Sequence, residues 1–212
     1  MNKSIAVISA GLSQPSSTRL LADRLAEATS RSLEEAGSEA TITVIELRDL
    51  AHDITNMMLT GFAAGDLKTA VETLANADAV IAVTPIFSSS YSGLFKSFFD
   101  ILEPRTLACK PVLLAATGGT ARHSLALEYS VRPLFAYLQS MIVPTSVFAA
   151  SEDWGTGDGG RVDSRVQTLP ARIERAAGEL AALVTRSDRS TRVRDPFELP
   201  ADFNPTGMFP PR

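Results

Sequence analysis

The chain has 212 residues, 45% of them apolar and 21% charged, the balance of an ordinary folded protein with enough length for one domain and a sizeable core. A net charge of −4 offers no broad basic surface, so neither nucleic acid nor an anionic membrane is an expected partner. The single cysteine, Cys109, excludes an internal disulfide, and the two histidines, His52 and His123, fall in no metal-ligand spacing.

In chain order, short apolar runs alternate with helical patterns. "SIAVIS" (residues 4–9) reads as a strand, and Leu21, Leu25 and Ala28 form the apolar stripe of the helix after it. "ATITVIEL" (40–47) is the second strand, followed by residues 48–65, expected to be a long connection of the kind that is usually functional or mobile. A weaker helix, 66–76, precedes the third strand, "AVIAVT" (79–84), which Pro85 is expected to break. Leu94, Phe95, Phe98, Phe99 and Leu102 mark the next helix, and "PVLLAAT" (111–117) the fourth strand. One helix over 125–140, a fifth strand over 142–149 and a last helix carrying Ile173, Ala176, Ala177, Leu180 and Val184 complete the pattern. Strict alternation predicts an α/β fold: a flavodoxin-like, five-stranded parallel sheet with helices on both faces, spanning residues 1–185. Residues 186–212, with five prolines in the last 17 positions, are expected to form an extended tail, either disordered or docked through Phe197, Phe203 and Phe209. No apolar run reaches the roughly 20 residues of a membrane span, and a cytoplasmic protein is expected.

Ligands of an open α/β sheet bind beyond the carboxyl ends of its strands, which directs attention to three loops. "SAGLSQPSSTR" places Ser9, Ser16, Ser17 and Thr18 around the start of a helix, where backbone N–H groups and the helix dipole hold a phosphate without lysine. The alternative is that one serine merely caps the helix. "TPIFSSSYSG" would offer backbone groups at Ile86 to Ser88 to a planar ligand, with Phe87 and Tyr91 flanking a ring, or be an ordinary loop. "ATGGTARHS" has adjacent glycines, Gly118 and Gly119, which permit positive φ and close approach of backbone to ligand, or simply a tight turn. Together the loops suit a flat, carbonyl-bearing heterocycle with one phosphate, a description that FMN meets.

"TPIFSSSYSGLFKSFFDIL" and "ATGGTARHSLALEYSVRPLF" resemble two blocks, in the right order, of the NADPH-dependent FMN reductase family, nearest to the flavin reductases of two-component alkanesulfonate-type monooxygenase systems. The resemblance implies a flavodoxin-like fold, FMN at the strand ends, and hydride transfer from NADPH or NADH to the flavin. It puts the phosphate role on Ser9, Ser16, Ser17 and Thr18, the ring and ribityl contacts on Pro85, Ile86, Phe87 and Ser88 with Tyr91 nearby, and the ring-edge contacts on Thr117, Gly118 and Gly119. No catalytic side chain is implied, since the flavin carries the chemistry. Phe87 stands where many relatives have tyrosine, and the first loop lacks an arginine directly after its glycine. A homodimer or homotetramer is implied, with His123 and Tyr129 at an interface, near the nicotinamide or simply buried, and a flavin-dependent monooxygenase as recipient of reduced flavin. Two other readings keep the fold: a quinone or azo reductase with tightly bound FMN, and an electron carrier without nicotinamide turnover.

Overall fold

A parallel sheet organises the chain, and alternation along each strand divides its core into two layers. The computed structural model describes residues 2–154 and 167–187. The strands are β1 (Asn2–Ser9), β2 (Glu39–Glu46), β3 (Ala79–Phe87), β4 (Ser90–Tyr91), β5 (Pro111–Gly118), β6 (Met141–Ile142) and β7 (Val147–Ala150). The α-helices are α1 (Ser17–Glu35), α2 (Ala51–Thr60), α3 (Gly65–Asn76), α4 (Gly93–Asp100), α5 (Arg132–Tyr137) and α6 (Leu169–Arg186). The main order is β2-β1-β3-β5-β6, with β7 pairing β5 beyond β6. This is the doubly wound flavodoxin-like order, which reverses direction between β1 and β3 and opens a crevice there.

Side chains of successive strand residues point to opposite faces. Ala6 and Ile8 of β1, Val80 and Ala82 of β3, and Leu114 and Ala116 of β5 join the layer covered by α2, α3, α4 and α5. Ile5 and Val7, Ile81 and Val83, and Leu113 and Ala115 join the layer beneath α1 and α6. Both faces of the central strands are therefore buried, as their unbroken apolar sequences require. The edge strand β2 instead alternates exposed and half-buried residues and places Glu39, Thr41 and Thr43 along its length.

Four departures from the sequence pattern have physical causes. The sheet has seven strands rather than five because Pro144 interrupts the fifth run, splitting it into β6 and β7, and because β4 folds back antiparallel on β3. Pro85 does not end β3: it pairs in register with Thr117, and the strand continues to Phe87. Residues 48–65 hold α2, which the sequence obscures because only Ile54 is buried, and Gly61 at φ 79° closes it in a left-handed cap. The single helix expected over 125–140 is instead a π-helical turn, Leu127–Val131, running into α5. The extra residue of such a turn disrupts the 3.6-residue stripe while leaving Leu127, Val131 and Phe135 buried. The proposed tail lies outside the described residues beyond position 187, as do Phe197, Phe203 and Phe209.

Among the described residues no helix is long and apolar enough to cross a membrane, and no group of three His, Cys, Asp or Glu could hold a metal ion.

Candidate functional site

The ends of β1, β3, β5 and β7 enclose a cleft of about 440 Å³ at the switch point, a size suited to a small cofactor. Leu12, Ser13, Ser17 and Thr18 line it from the first loop. Pro85, Ile86 and Phe87 contribute from the end of β3, Thr117, Gly118 and Gly119 from β5, and Ser151 and Trp154 from the turn after β7. None of these side chains is ionisable.

The first loop is built around the start of α1. Ser16 is the N-cap, its hydroxyl accepting from the Arg19 N–H at 3.2 Å, so this one serine does serve as a cap. A Cβ on Gly11 would lie 2.1 Å from Ser16 Oγ, which is why glycine stands there. The cap satisfies one helix donor and leaves others of the first turn for a ligand. The first turn of α1 carries no acidic side chain, so nothing in it competes for the positive end of the dipole.

Ser9, at the last position of β1, is 1% exposed, and its Oγ finds no hydrogen-bond partner among the described residues. By alternation it shares the face of Ile5 and Val7, the face covered by α1. A buried hydroxyl without a partner costs about 1–3 kcal/mol, and an anion at the start of α1 would give it one.

Thr18 and Thr117 tie the first loop to β5, their hydroxyls 2.8 Å apart and both residues buried. The cations nearby are engaged. Arg19 bonds Asp23 at 2.8 Å and also Glu46, and the Asp23 hydrogen bond is the main cause of a guanidinium pKa above its usual range. Arg48 donates to Leu12 O at 3.3 Å, bracing the loop from the end of β2.

The second loop is a hairpin. Ile86 pairs with Tyr91 and Phe87 with Ser90, so part of the backbone expected to be free for a ligand is committed to β4. Ser88 and Ser89 turn the chain at φ 48° and 66°, positions that glycine or asparagine would fill with less strain. Thr84 Oγ1 accepts from the Ser92 N–H at 3.1 Å, and Ser92 caps α4. Tyr91 packs toward Phe95, ring centroids 6.0 Å apart, whereas Phe87 is half exposed at the cleft rim.

The third loop departs from expectation in one respect: neither Gly118 nor Gly119 has positive φ. Gly118 is the last residue of β5, and a Cβ there would lie 2.7 Å from Phe148 Cζ, so packing requires it. A Cβ on Gly119 would meet nothing within 4 Å, which leaves its backbone open to the cleft.

Of the residues singled out in the sequence, Ser17, Thr18, Pro85, Ile86, Phe87, Thr117, Gly118 and Gly119 meet at one cleft. Ser9 ends β1, buried and not among the residues that line the cleft, Ser16 caps α1, Ser88 is in the hairpin turn, and Tyr91 is half buried against the core. His123 and Tyr129 are exposed on the segment that follows. Ser151 and Trp154 follow the fifth apolar run, beyond the three loops that the sequence marks by their glycines and hydroxyls. Applied to that run, the strand-end rule leads directly to them.

The residues present fit FMN: an orphaned hydroxyl and free amides where a phosphate would sit, an uncharged wall, and open backbone at Gly119.

Residues 4–155 match the sequence model of the NADPH-dependent FMN reductases. An FMN reductase (NADPH) of Pseudomonas aeruginosa is 35% identical over 181 residues, covering 84% of this chain and 91% of its own length. The NADH-dependent FMN reductase SfnF of Pseudomonas fluorescens is 32% identical, covering 84% and 90%. Among solved structures, an oxidoreductase from Corynebacterium diphtheriae superposes with a TM-score of 0.81 at 43% identity, covering 88% of this chain and 98% of its own. An NADH:FMN oxidoreductase in its apo form gives 0.73 at 30% identity, covering 90% and 94%. With the fold, the cleft and these likenesses in agreement, the chain belongs to the NADPH-dependent FMN reductase family.

Proposed function

We infer that the chain is an NAD(P)H-dependent FMN reductase, using NADPH or NADH as hydride donor, and that the cleft at the β1–β3 switch point is its flavin site. The observation that carries this reading is the convergence of three loops on an uncharged cleft beside an unpartnered buried hydroxyl, Ser9 Oγ. In this reading the free amides of α1, with Ser9, Ser17 and Thr18, hold the phosphate. Ser16 acts through the cap that shapes the loop. Pro85, Ile86 and Phe87 face the ring, Ser88 sets the hairpin that presents them, and Tyr91 supports it from behind. Thr117, Gly118 and Gly119 border the ring edge.

Bound FMN supplies the hydride-accepting chemistry. The protein's task is to orient two flat partners and keep water from between them, which needs placement rather than an acid or base. Among the described residues that line the cleft none has an ionisable side chain, which agrees with that division of labour.

The kinship with SfnE- and SfnF-type reductases supports a role in supplying reduced flavin to a partner monooxygenase. Exposed apolar side chains at Leu59 (81%) and Phe62 (80%) support a homodimer or homotetramer.

Steady-state oxidation of NADPH and NADH with added FMN, FAD or riboflavin tests the activity. Saturable acceleration by FMN is expected. No acceleration with any flavin would refute the reading, and turnover of a quinone by a tightly retained FMN would replace flavin release with the quinone reductase alternative.

A further inference from the structure

The chain has one tryptophan, Trp154, and the structure sets it in the wall of the cleft that Ser17, Thr18 and Gly118 also line. Its turn is held tightly. Asp153 Oδ2 accepts from the Ala150 N–H at 2.8 Å, Asp153 Oδ1 accepts from Arg172 Nη2 at 2.7 Å, and Arg172 also donates to Phe148 O. The indole packs against the apolar layer under α1 and α6, and the Arg24 guanidinium lies 5.1 Å from its ring centroid. Two surroundings thus fix the ring, and the contact with Arg24 of α1 sets it on the α1 side of the cleft that it lines.

We propose that Trp154 is a positioning residue for the phosphate end of the flavin. The proposal rests on the flavin reading of the cleft. An apolar wall beside α1 excludes water from the amide and hydroxyl donors, so each hydrogen bond to an anion acts in a lower dielectric than it would in open solvent. Arg24, held over the indole, adds positive potential on the same flank without entering the cleft. Phe87 lines the same cleft from the β3 end.

The test is equilibrium binding of FMN and of riboflavin to flavin-free wild-type protein, Trp154→Ala and Trp154→Phe, with thermal midpoints measured on the same samples. Flavin fluorescence serves all three proteins. W154A should weaken FMN by about tenfold and riboflavin by less than about threefold, and W154F should recover most of the loss because it restores an apolar wall. Equal losses for the two flavins, unchanged FMN binding in W154A, or losses that follow the thermal midpoint would overturn the proposal. Failure of the wild-type protein to bind FMN would overturn the flavin reading itself, and is distinguishable because it precedes any substitution.

Discussion

Gly118 and Gly119 are neighbours, yet a methyl group added to each would meet opposite surroundings. At Gly118 it would press on the ring of Phe148, itself 5% exposed, so Gly118→Ala should destabilise the protein by about 1–3 kcal/mol. At Gly119 it would enter open cleft, so Gly119→Ala should leave stability within about 0.5 kcal/mol of wild type while weakening FMN. Thermal unfolding with flavin titration on both variants checks the pair. The threonine bridge permits a similarly sharp test. Thr18→Val or Thr117→Val alone strands one buried hydroxyl and should cost about 1–3 kcal/mol. The double variant should cost less than the sum, and a double-mutant cycle measures the coupling. These residues also show how far sequence reads at this scale. Adjacent glycines after a strand point to a tight backbone, but only the position of Phe148 on β7 distinguishes the packing glycine from the open one.

The π-helical turn is fastened to the β6–β7 connection by ionic groups. Arg132 donates to both carboxylate oxygens of Glu128 and to Ser146 Oγ at 2.7 Å. Hydrogen bonding from Arg132 holds the Glu128 carboxyl below its ordinary value of 4.5, with opposite charge and Ser146 assisting and partial burial opposing. Because the folded state lowers this pKa, the pair's stabilisation is present above about pH 4.5 and is lost as pH falls through the lower folded-state value. Glu128 is about half exposed, so screening limits the contribution to about 1 kcal/mol or less. Glu128→Gln should therefore lower the thermal midpoint at pH 7, and the gap to wild type should close below pH 4.5. A gap that persists unchanged into acid would assign the effect to packing. At this scale the β1, β3 and β5 strands were legible because both their faces are apolar. The α2 helix was not, because one buried residue makes no stripe, and the π turn was not, because one extra residue breaks the period that identifies a helix.

Across the whole molecule, the end of α2 exposes Leu59 and Phe62 together, while Tyr129 and Tyr137 are exposed along the π turn and α5. An oligomer would cover some of this apolar surface. Sedimentation velocity should give a dimer or larger species at micromolar concentration, and Leu59→Ser with Phe62→Ser should shift it toward the monomer if the α2 end is an interface. A wild-type monomer would remove the oligomer from the account.

The strand alternation and the residues beyond the strand ends were enough to indicate the flavodoxin-like order and most of the cleft. The orphaned Ser9 hydroxyl, the bridge between Thr18 and Thr117 and the wall at Trp154 depend on chain segments distant in sequence, so no local pattern reveals them. In the flavin reading proposed above, amides and hydroxyls at the start of α1, without a lysine, hold one flavin phosphate. The direct measurement is the affinity for FMN relative to riboflavin in wild-type protein and in a Ser9→Ala, Ser17→Ala double variant. Wild type should prefer FMN by about tenfold or more, and the double variant should lose this preference while its riboflavin affinity stays the same. Equal affinity for both flavins in wild type, or equal losses in the variant, would contradict it.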